Sequence, residues 1–435
     1  MHILMSKRFY FPEGLYYWGQ NRLGSVVPLI AHPFVSFGLN PLWVISIIQT
    51  LLIWFTFKIF SFGLPGMGKI AVALFLFLPL SAWNYLISTG QPYIPQILFF
   101  SILYRLLLRS EEWSSTIAWQ FTFTAWASLY VSDLSIVYIL PMVAYVGWNQ
   151  SRLGQLIPWI KQSWKAFSGG IIGGLLLLVL KNQLPRAKGY EQIMGPTEEW
   201  VSLFEGLSRF YKGYFTNFEH HPFETVGVWF LLILFLFMLT KRPPKSFAVL
   251  YFSLCLVTCF LLTSHWVYVN GLRYFALPFS LLVILTVIRI FSLKKTIQKT
   301  LGSLALASGL LFAIGNVKGR LASERPASFM PKTAEVVQLA NQYSLPAIGD
   351  YWIVYVYSAY AENQPLAIAD ENWAIRNYWE KDAVINSDTL LIFESPRLTL
   401  EDEIVKFKKT YIAVSSPSHI GETSFRLYVP VGETP

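Results

Sequence analysis

The sequence predicts a polytopic α-helical membrane bundle of about ten spans, followed by a small C-terminal α/β domain. Three observations lead there. Of 435 residues, 54% are hydrophobic, 17% aromatic and only 14% charged, a balance far more apolar than that of a soluble domain. Long apolar segments recur, with Lys and Arg marking alternate links between them. Beyond residue 315 charge returns, and short alternating stretches replace the long apolar runs.

Taken in order, residues 1–8 hold no apolar core and read as neither a signal peptide nor a span. Residues 11–33, FPEGLYYWGQNRLGSVVPLIAHP, mix aromatic with polar side chains. That composition suits a loop or short helix at a membrane surface, where rings settle among headgroups. We take 1–41 as an outer-face loop ahead of the first span.

Ten apolar segments come next, at 42–62, 70–88, 95–108, 114–131, 134–148, 166–182, 225–241, 247–264, 274–291 and 300–315. Several fall short of the ~20 residues that cross a bilayer upright, and 114–148 can be divided differently around Asp133. Cationic links carry Lys69; Arg105 and Arg109; Arg152, Lys161 and Lys165; Lys241, Arg242 and Lys245; and Lys294, Lys295 and Lys299. Lys and Arg concentrate on the cytoplasmic side, so these links read as cytoplasmic. The alternate links then face outward, together with 11–33 and everything after Gly315. An outward N-terminal tail carrying Lys7 and Arg8 is hard to translocate without a leader, so a further span is expected upstream of Met1.

The net charge of +9 does not point to nucleic acid, because the cations punctuate apolar runs instead of gathering on one exposed face. Cys255 and Cys259 stand four apart in one apolar segment, spacing that suits two thiols on one helix face. The outward link 183–223 contains 199–211, where Trp200, Leu203, Phe204, Leu207 and Phe210 recur at helical spacing. This predicts an amphipathic helix along the surface, roofing the site beneath. In the tail, 333–343 reads as a helix, and 353–357, 389–393, 411–414 and 425–429 read as strands. A tail of ~100 residues is long enough for its own core. It lacks a Gly-rich phosphate loop at a strand-to-helix junction.

Several outward residues bear chemistry. Glu13 is either a solvated loop carboxylate or a general base. Asp133, at the outward junction of two apolar segments with no cation nearby in sequence, is either a turn residue or an acid with a role. Arg22 and Arg273 offer guanidinium forks to a phosphate, or anchor at headgroups. Tyr16, Tyr17, Gln20 and Tyr274 are candidate substrate contacts. His220 and His221 come directly after Glu219; neighbouring histidines diverge, so a divalent metal there needs Glu219 or a distant carboxylate as well, and direct substrate contact is the other reading. Asp350, Tyr351 and Trp352 either face the site from the tail or pack at a strand edge.

With Glu13, Tyr16, Tyr17, Trp18 and Arg22 in a first outer loop, Arg273-Tyr274 at the outer start of a late span ahead of Pro278, and an α/β tail, the chain resembles the polytopic glycosyltransferases of the GT-C superfamily. That group includes protein mannosyltransferases and lipid A aminoarabinose transferases. The family's first loop carries an Asp after a first span; both are missing here. The resemblance implies transfer of a sugar from a polyprenyl-phosphate donor to an extracytoplasmic lipid, glycan or protein, with membrane lipid as surroundings and no nucleic acid. Such a reaction needs a carboxylate base on the acceptor hydroxyl and cations for the departing phosphate. It points to a single inverting displacement, with Glu13 and Asp133 as candidate carboxylates. A lipid or polysaccharide transporter or flippase is the alternative, although that class places charges at mid-membrane and often shows paired broken spans. An O-antigen polymerase or ligase would share the lipid-linked donor.

Overall fold

A computed structural model describes residues 2–11, 13–16, 24–79, 93–183, 203–215, 222–240, 245–263, 275–293, 295–322, 329–360, 365–370, 378–395, 398–420 and 423–433. Each of the ten predicted apolar segments holds a helix. They are α3 (Pro41–Ser61), α4 (Gly66–Phe77), α5 (Tyr93–Leu108), α6 (Ser115–Val131), α7 (Ile136–Arg152), α8 (Leu156–Gln183), α10 (Pro222–Thr240), α11 (Lys245–Thr263), α12 (Ala276–Phe291) and α13 (Lys295–Ala322). Two short helices precede them, α1 (His2–Lys7) and α2 (Val26–Ser36), and α9 (Leu203–Phe215) lies between α8 and α10.

Local sequence explains the boundaries. Pro41 occupies the first turn of α3, where its missing N–H costs nothing, and the Asn40 side chain accepts from Leu42 N at 2.9 Å. Ser114 caps α6 through Ile117 N at 3.3 Å. The long helices turn apolar surface outward: Trp43, Ile47 and Trp54 on α3, and Ile171, Leu175 and Leu176 on α8, are exposed. Water would penalise such a surface and lipid does not. α3, α8, α11 and residues Ile297–Lys318 of α13 are long and apolar enough to cross a membrane, and the chain is a membrane protein. Cys255 and Cys259 are free, exposed thiols on α11.

The bundle has two chemically different ends. At one, the Arg105 guanidinium lies 4.3 Å from the centre of the Phe62 ring, Gln150 donates to the Ser110 carbonyl, the Lys245 ammonium lies 4.4 Å from the Trp148 ring, and Gly68 packs on Phe291. These contacts gather the helix ends flanking the links that the sequence makes cationic. The links after α4, α6, α8 and α11 leave from the other end. There Asn316 Nδ2 donates to Pro79 O at 2.6 Å, and buried Glu224 fits against α13 because residue 315 is a glycine: a Cβ there would stand 2.5 Å from Glu224 Cγ.

The tail forms α14 (Phe329–Tyr343), α15 (Tyr351–Tyr360) and α16 (Tyr378–Ile385) around a seven-stranded mixed sheet. Its strands are β1 (Ala347–Gly349), β2 (Ala367–Ala369), β3 (Leu390–Phe393), β4 (Glu403–Lys406), β5 (Lys409–Ala413), β6 (Ser418–Ile420) and β7 (Thr423–Glu433), in the order β2-β1-β3-β7-β5-β4 with β6 paired to β7. β1 runs parallel to β2 and β3, and the remaining pairs are antiparallel. β3 alternates as a doubly covered strand must. Leu391 and Phe393 join Val336, Leu339, Val354 and Tyr357 of α14 and α15, whereas Leu390 and Ile392 join Val384 of α16.

One expectation fails here. Residues 353–357, predicted as a strand, lie inside α15. The stretch IVYVY is rich in β-branched and aromatic residues, which favour strands. Its burial has a helical period instead, with Val354, Tyr357 and Ser358 on the core side. Tyr357 Oη donates to Leu345 O at 2.8 Å and Ser358 Oγ to Pro365 O at 2.7 Å, satisfying both hydroxyls within the packed domain. Tertiary packing overrides propensity.

α1, too short to announce itself through an apolar period, sits between bundle and tail. Leu4 and Met5 are buried in the α14–α15 core, and Ile3 packs beside Val27, Val44 and Ile48 of α2 and α3. His32 Nδ1 lies 2.8 Å from Ser6 O. Burial foremost pushes the His2 imidazole down to about 3, so it is neutral when folded. The unfolded chain takes up that proton near the ordinary 6.5, so stability is lost as pH falls from about 6.5 towards 3. Hydrogen exchange across α1 should therefore rise on acidification through that window, and His2→Leu should flatten the dependence; an unchanged dependence in His2→Leu would refute the assignment.

Candidate active site

The candidate site lies at the end of the bundle away from the cationic links. It is built where residues 13–16 and 24–25 meet the turn between α6 and α7. Glu13 opens a single 3-10 turn (Glu13–Leu15), and Tyr16 pairs antiparallel with Gly24 in an isolated β-bridge. Ser25 N donates to Leu15 O at 3.1 Å, Gly24 N to Val131 O at 3.2 Å, and Ser25 Oγ to Gly14 O. The loop is thereby closed on itself and stitched to the end of α6.

Tyr130 completes the seam. Its hydroxyl donates to Leu15 O, and its ring meets the Tyr16 ring edge-on at 5.3 Å. Only glycine fits at 24, since a Cβ there would collide with the Tyr130 carbonyl oxygen. Tyr16 is buried, and its hydroxyl has no hydrogen-bond partner among the described residues. An unpaired buried hydroxyl is costly, which makes it a ready contact for a polar ligand. Burial, with Tyr130 and Asp133 beside it, holds the Tyr16 phenol well above its ordinary range, so it can donate a proton in a hydrogen bond but stays neutral.

Asp133 comes next, as the first residue of a 3-10 turn (Asp133–Ser135) leading into α7. Beneath it a buried polar cluster holds the turn: Ser135 Oγ donates to Ser128 O at 2.8 Å, Tyr138 Oη to Ser135 Oγ at 2.7 Å, and Gln96 Nε2 lies 3.4 Å from Ser135 Oγ. Lys181, from the last turn of α8, forms an ion pair with Asp133, and its ammonium lies 5.8 Å from the Tyr16 ring centre. The Lys181 side chain is 10% exposed and the Asp133 side chain 48% exposed. A nearly buried ammonium needs a countercharge, and Asp133 supplies it while keeping half its surface open to an incoming group.

α9 lies over this end. A Cβ at Gly206 would collide with the Leu262 carbonyl oxygen, so the helix seats directly on the end of α11. Phe210 packs on Phe275 at 5.0 Å, within the cluster holding Leu134 and Val137, and Tyr211 meets Trp229 of α10 at 6.2 Å. Of the amphipathic helix expected at 199–211, residues 199–202 lie outside the described residues and the rest falls in the helix Leu203–Phe215, whose Phe210 packs in the cluster with Leu134, next to Asp133 in sequence.

The structure thus brings together Tyr16, Asp133 and the backbone of Glu13. The Glu13 side chain, Tyr17, Gln20, Arg22, Glu219, His220, His221, Arg273, Tyr274 and the side chains of Tyr351 and Trp352 lie outside the described residues. Among the described residues no three His, Cys, Asp or Glu side chains come together as a metal set. Asp350 N-terminally flanks α15, where its carbonyl accepts from Val354 N at 3.0 Å. Sequence reasoning missed Lys181, Tyr130 and Gly24. Lys181 did leave a trace, since it ends an apolar run at an end where the other links are poor in cations. Tyr130 and Gly24 left none, because their significance is a close approach across more than a hundred residues.

No family model and no curated protein matches the chain. Among solved structures, it is similar to apo-state ArnT from Cupriavidus metallidurans, with a TM-score of 0.60 over 98% of this chain and 92% of that one at 12% identity. The chain has that fold: a polytopic helical bundle carrying a C-terminal domain.

Proposed function

We propose that this protein is a membrane glycosyltransferase of the GT-C kind, moving a sugar from a polyprenyl-phosphate donor to an extracytoplasmic acceptor. The observation that carries the proposal is the Asp133–Lys181 pair beside the Tyr16 hydroxyl, which has no partner among the described residues, on a chain folded like ArnT along almost its whole length. The end bearing this site is the one away from the cationic links, which the distribution of Lys and Arg makes extracytoplasmic. Nucleotides are absent there, so a lipid-linked sugar is the fitting donor.

The chemistry needs few parts. A carboxylate, Asp133 or Glu13, takes the proton of the acceptor hydroxyl. The acceptor oxygen bonds to the anomeric carbon as the bond from that carbon to the phosphate oxygen breaks, with inversion. Polyprenyl phosphate leaves with the electron pair, and Lys181, with Arg22 and Arg273 as further candidates, balances its charge. The Tyr16 hydroxyl and ring hold the sugar or phosphate, and α9 limits water.

Purified protein in lipid should convert a mixture of labelled polyprenyl-phosphate sugars, releasing polyprenyl phosphate as label appears in a new product. Failure of intact protein to consume any donor would overturn the proposal and favour transport.

A further inference from the structure

The segment carrying Glu13 is held from both sides, and one of its holds belongs to the tail. Arg8 Nη1 lies 3.4 Å from Glu380 Oε1 of α16, Tyr10 Oη donates to the same oxygen at 3.4 Å, and Lys7 Nζ donates to Ala359 O at the end of α15 at 2.8 Å. Arg8 and Glu380 are largely withdrawn from solvent, with side-chain exposures of 11% and 5%. Such a pair is costly to break one partner at a time.

The chain beyond Arg8 has little slack. Gly14 N bonds back to Tyr10 O, and a Cβ at Gly14 would stand 2.8 Å from the Phe9 ring, so Gly14 is closed back on Phe9 and Tyr10. Phe9 rests against His32 of α2 at 5.3 Å. One residue beyond Gly14, the Leu15 carbonyl is already bonded to Tyr130. Glu13 therefore stands between an anchor on the α/β domain and an anchor on α6, joined by fewer than ten residues. Moving either anchor moves its backbone.

We propose that Glu380 is a positioning residue: by holding Arg8 and Tyr10 it sets the place of the Glu13 turn, so that the α/β domain is a working part of the site and not an appended module. The inference rests on the function proposed above, but its physical core, tail-to-loop coupling, is measurable without activity.

The test compares wild type with Glu380→Gln and, as milder variants, Arg8→Gln and Tyr10→Phe, all as full chains in lipid. Hydrogen exchange should rise in residues 9–16 in each variant, and not only in 2–8. In active protein, kcat should fall at least tenfold in Glu380→Gln while KM for the donor stays within about twofold, and the charge reversal Arg8→Glu with Glu380→Arg should recover most of the loss. A folded Glu380→Gln, or a folded Arg8→Gln should Glu380→Gln not fold, with unchanged exchange across 13–16 and unchanged kcat overturns the proposal. Raised exchange across 9–16 in a protein inactive even as wild type leaves the coupling standing and overturns the transferase reading instead.

Discussion

Replacing Asp133 with Asn should lower turnover by about 10²–10⁴-fold, the range a positioned acid or base contributes. The substitution preserves shape and hydrogen-bonding capacity, so the turn built on Ser128, Ser135 and Tyr138 should survive. It also removes the Asp133 carboxylate from its ion pair with the nearly buried Lys181 ammonium. Those two consequences can be separated. If Asp133 takes the acceptor proton, Asp133→Asn combined with Lys181→Met is at least as slow as Asp133→Asn alone. If Asp133 serves only to balance Lys181, the double variant regains stability, because removing both members of a buried pair is far milder than removing one. Glu13→Gln, measured beside them, then decides which carboxylate is the base. Unchanged turnover in both Asp133→Asn and Glu13→Gln, in folded protein, would end the site assignment.

Gly24→Ala should be strongly disruptive for a single added methyl. The new Cβ would overlap a backbone carbonyl oxygen, that of Tyr130, with the Tyr130 ring next at 2.8 Å. A carbonyl within a helix cannot rotate away, so the loop must lift from α6. Overpacking of this kind costs roughly 1–3 kcal/mol. Lifting the loop also separates Tyr16 from Lys181 and breaks the bond from Tyr130 to Leu15. We expect kcat to fall at least tenfold, with a parallel loss of thermal stability. Tyr130→Phe, which keeps the ring and deletes only the hydroxyl, should lie between wild type and Gly24→Ala. Wild-type activity and melting in Gly24→Ala would show that the seam between loop and α6 is not required.

Together these substitutions treat the site as a junction of three parts: the bridged residues Tyr16 and Gly24 with the turn at Glu13–Leu15, the polar turn at Asp133, and the α8 end that delivers Lys181. No one element holds the chemistry. Each contributes one or two groups, and the bundle supplies the rigidity that fixes their spacing.

The sequence by itself determined the class of solvent and the scaffold. Apolar runs whose short links are cationic at alternate positions can satisfy their backbone in lipid only as helices, so the ten helices and the two unlike ends were legible from composition and period. The surface helix at α9 was legible for the same reason, through its apolar spacing. Tertiary structure alone decided three things. It made a helix of 353–357, where β-branched and aromatic residues leave the local preference for a strand and only packing against α14 and the sheet settles the matter. It gave Asp133 a partner 48 residues away. It also tied residues 7–10 to Ala359 and Glu380, more than 350 residues along the chain. Period and propensity are local quantities, summed over neighbours in sequence. An ion pair or a Cβ-sized gap between distant segments depends on how whole helices dock, and a single sequence carries no term for that distance.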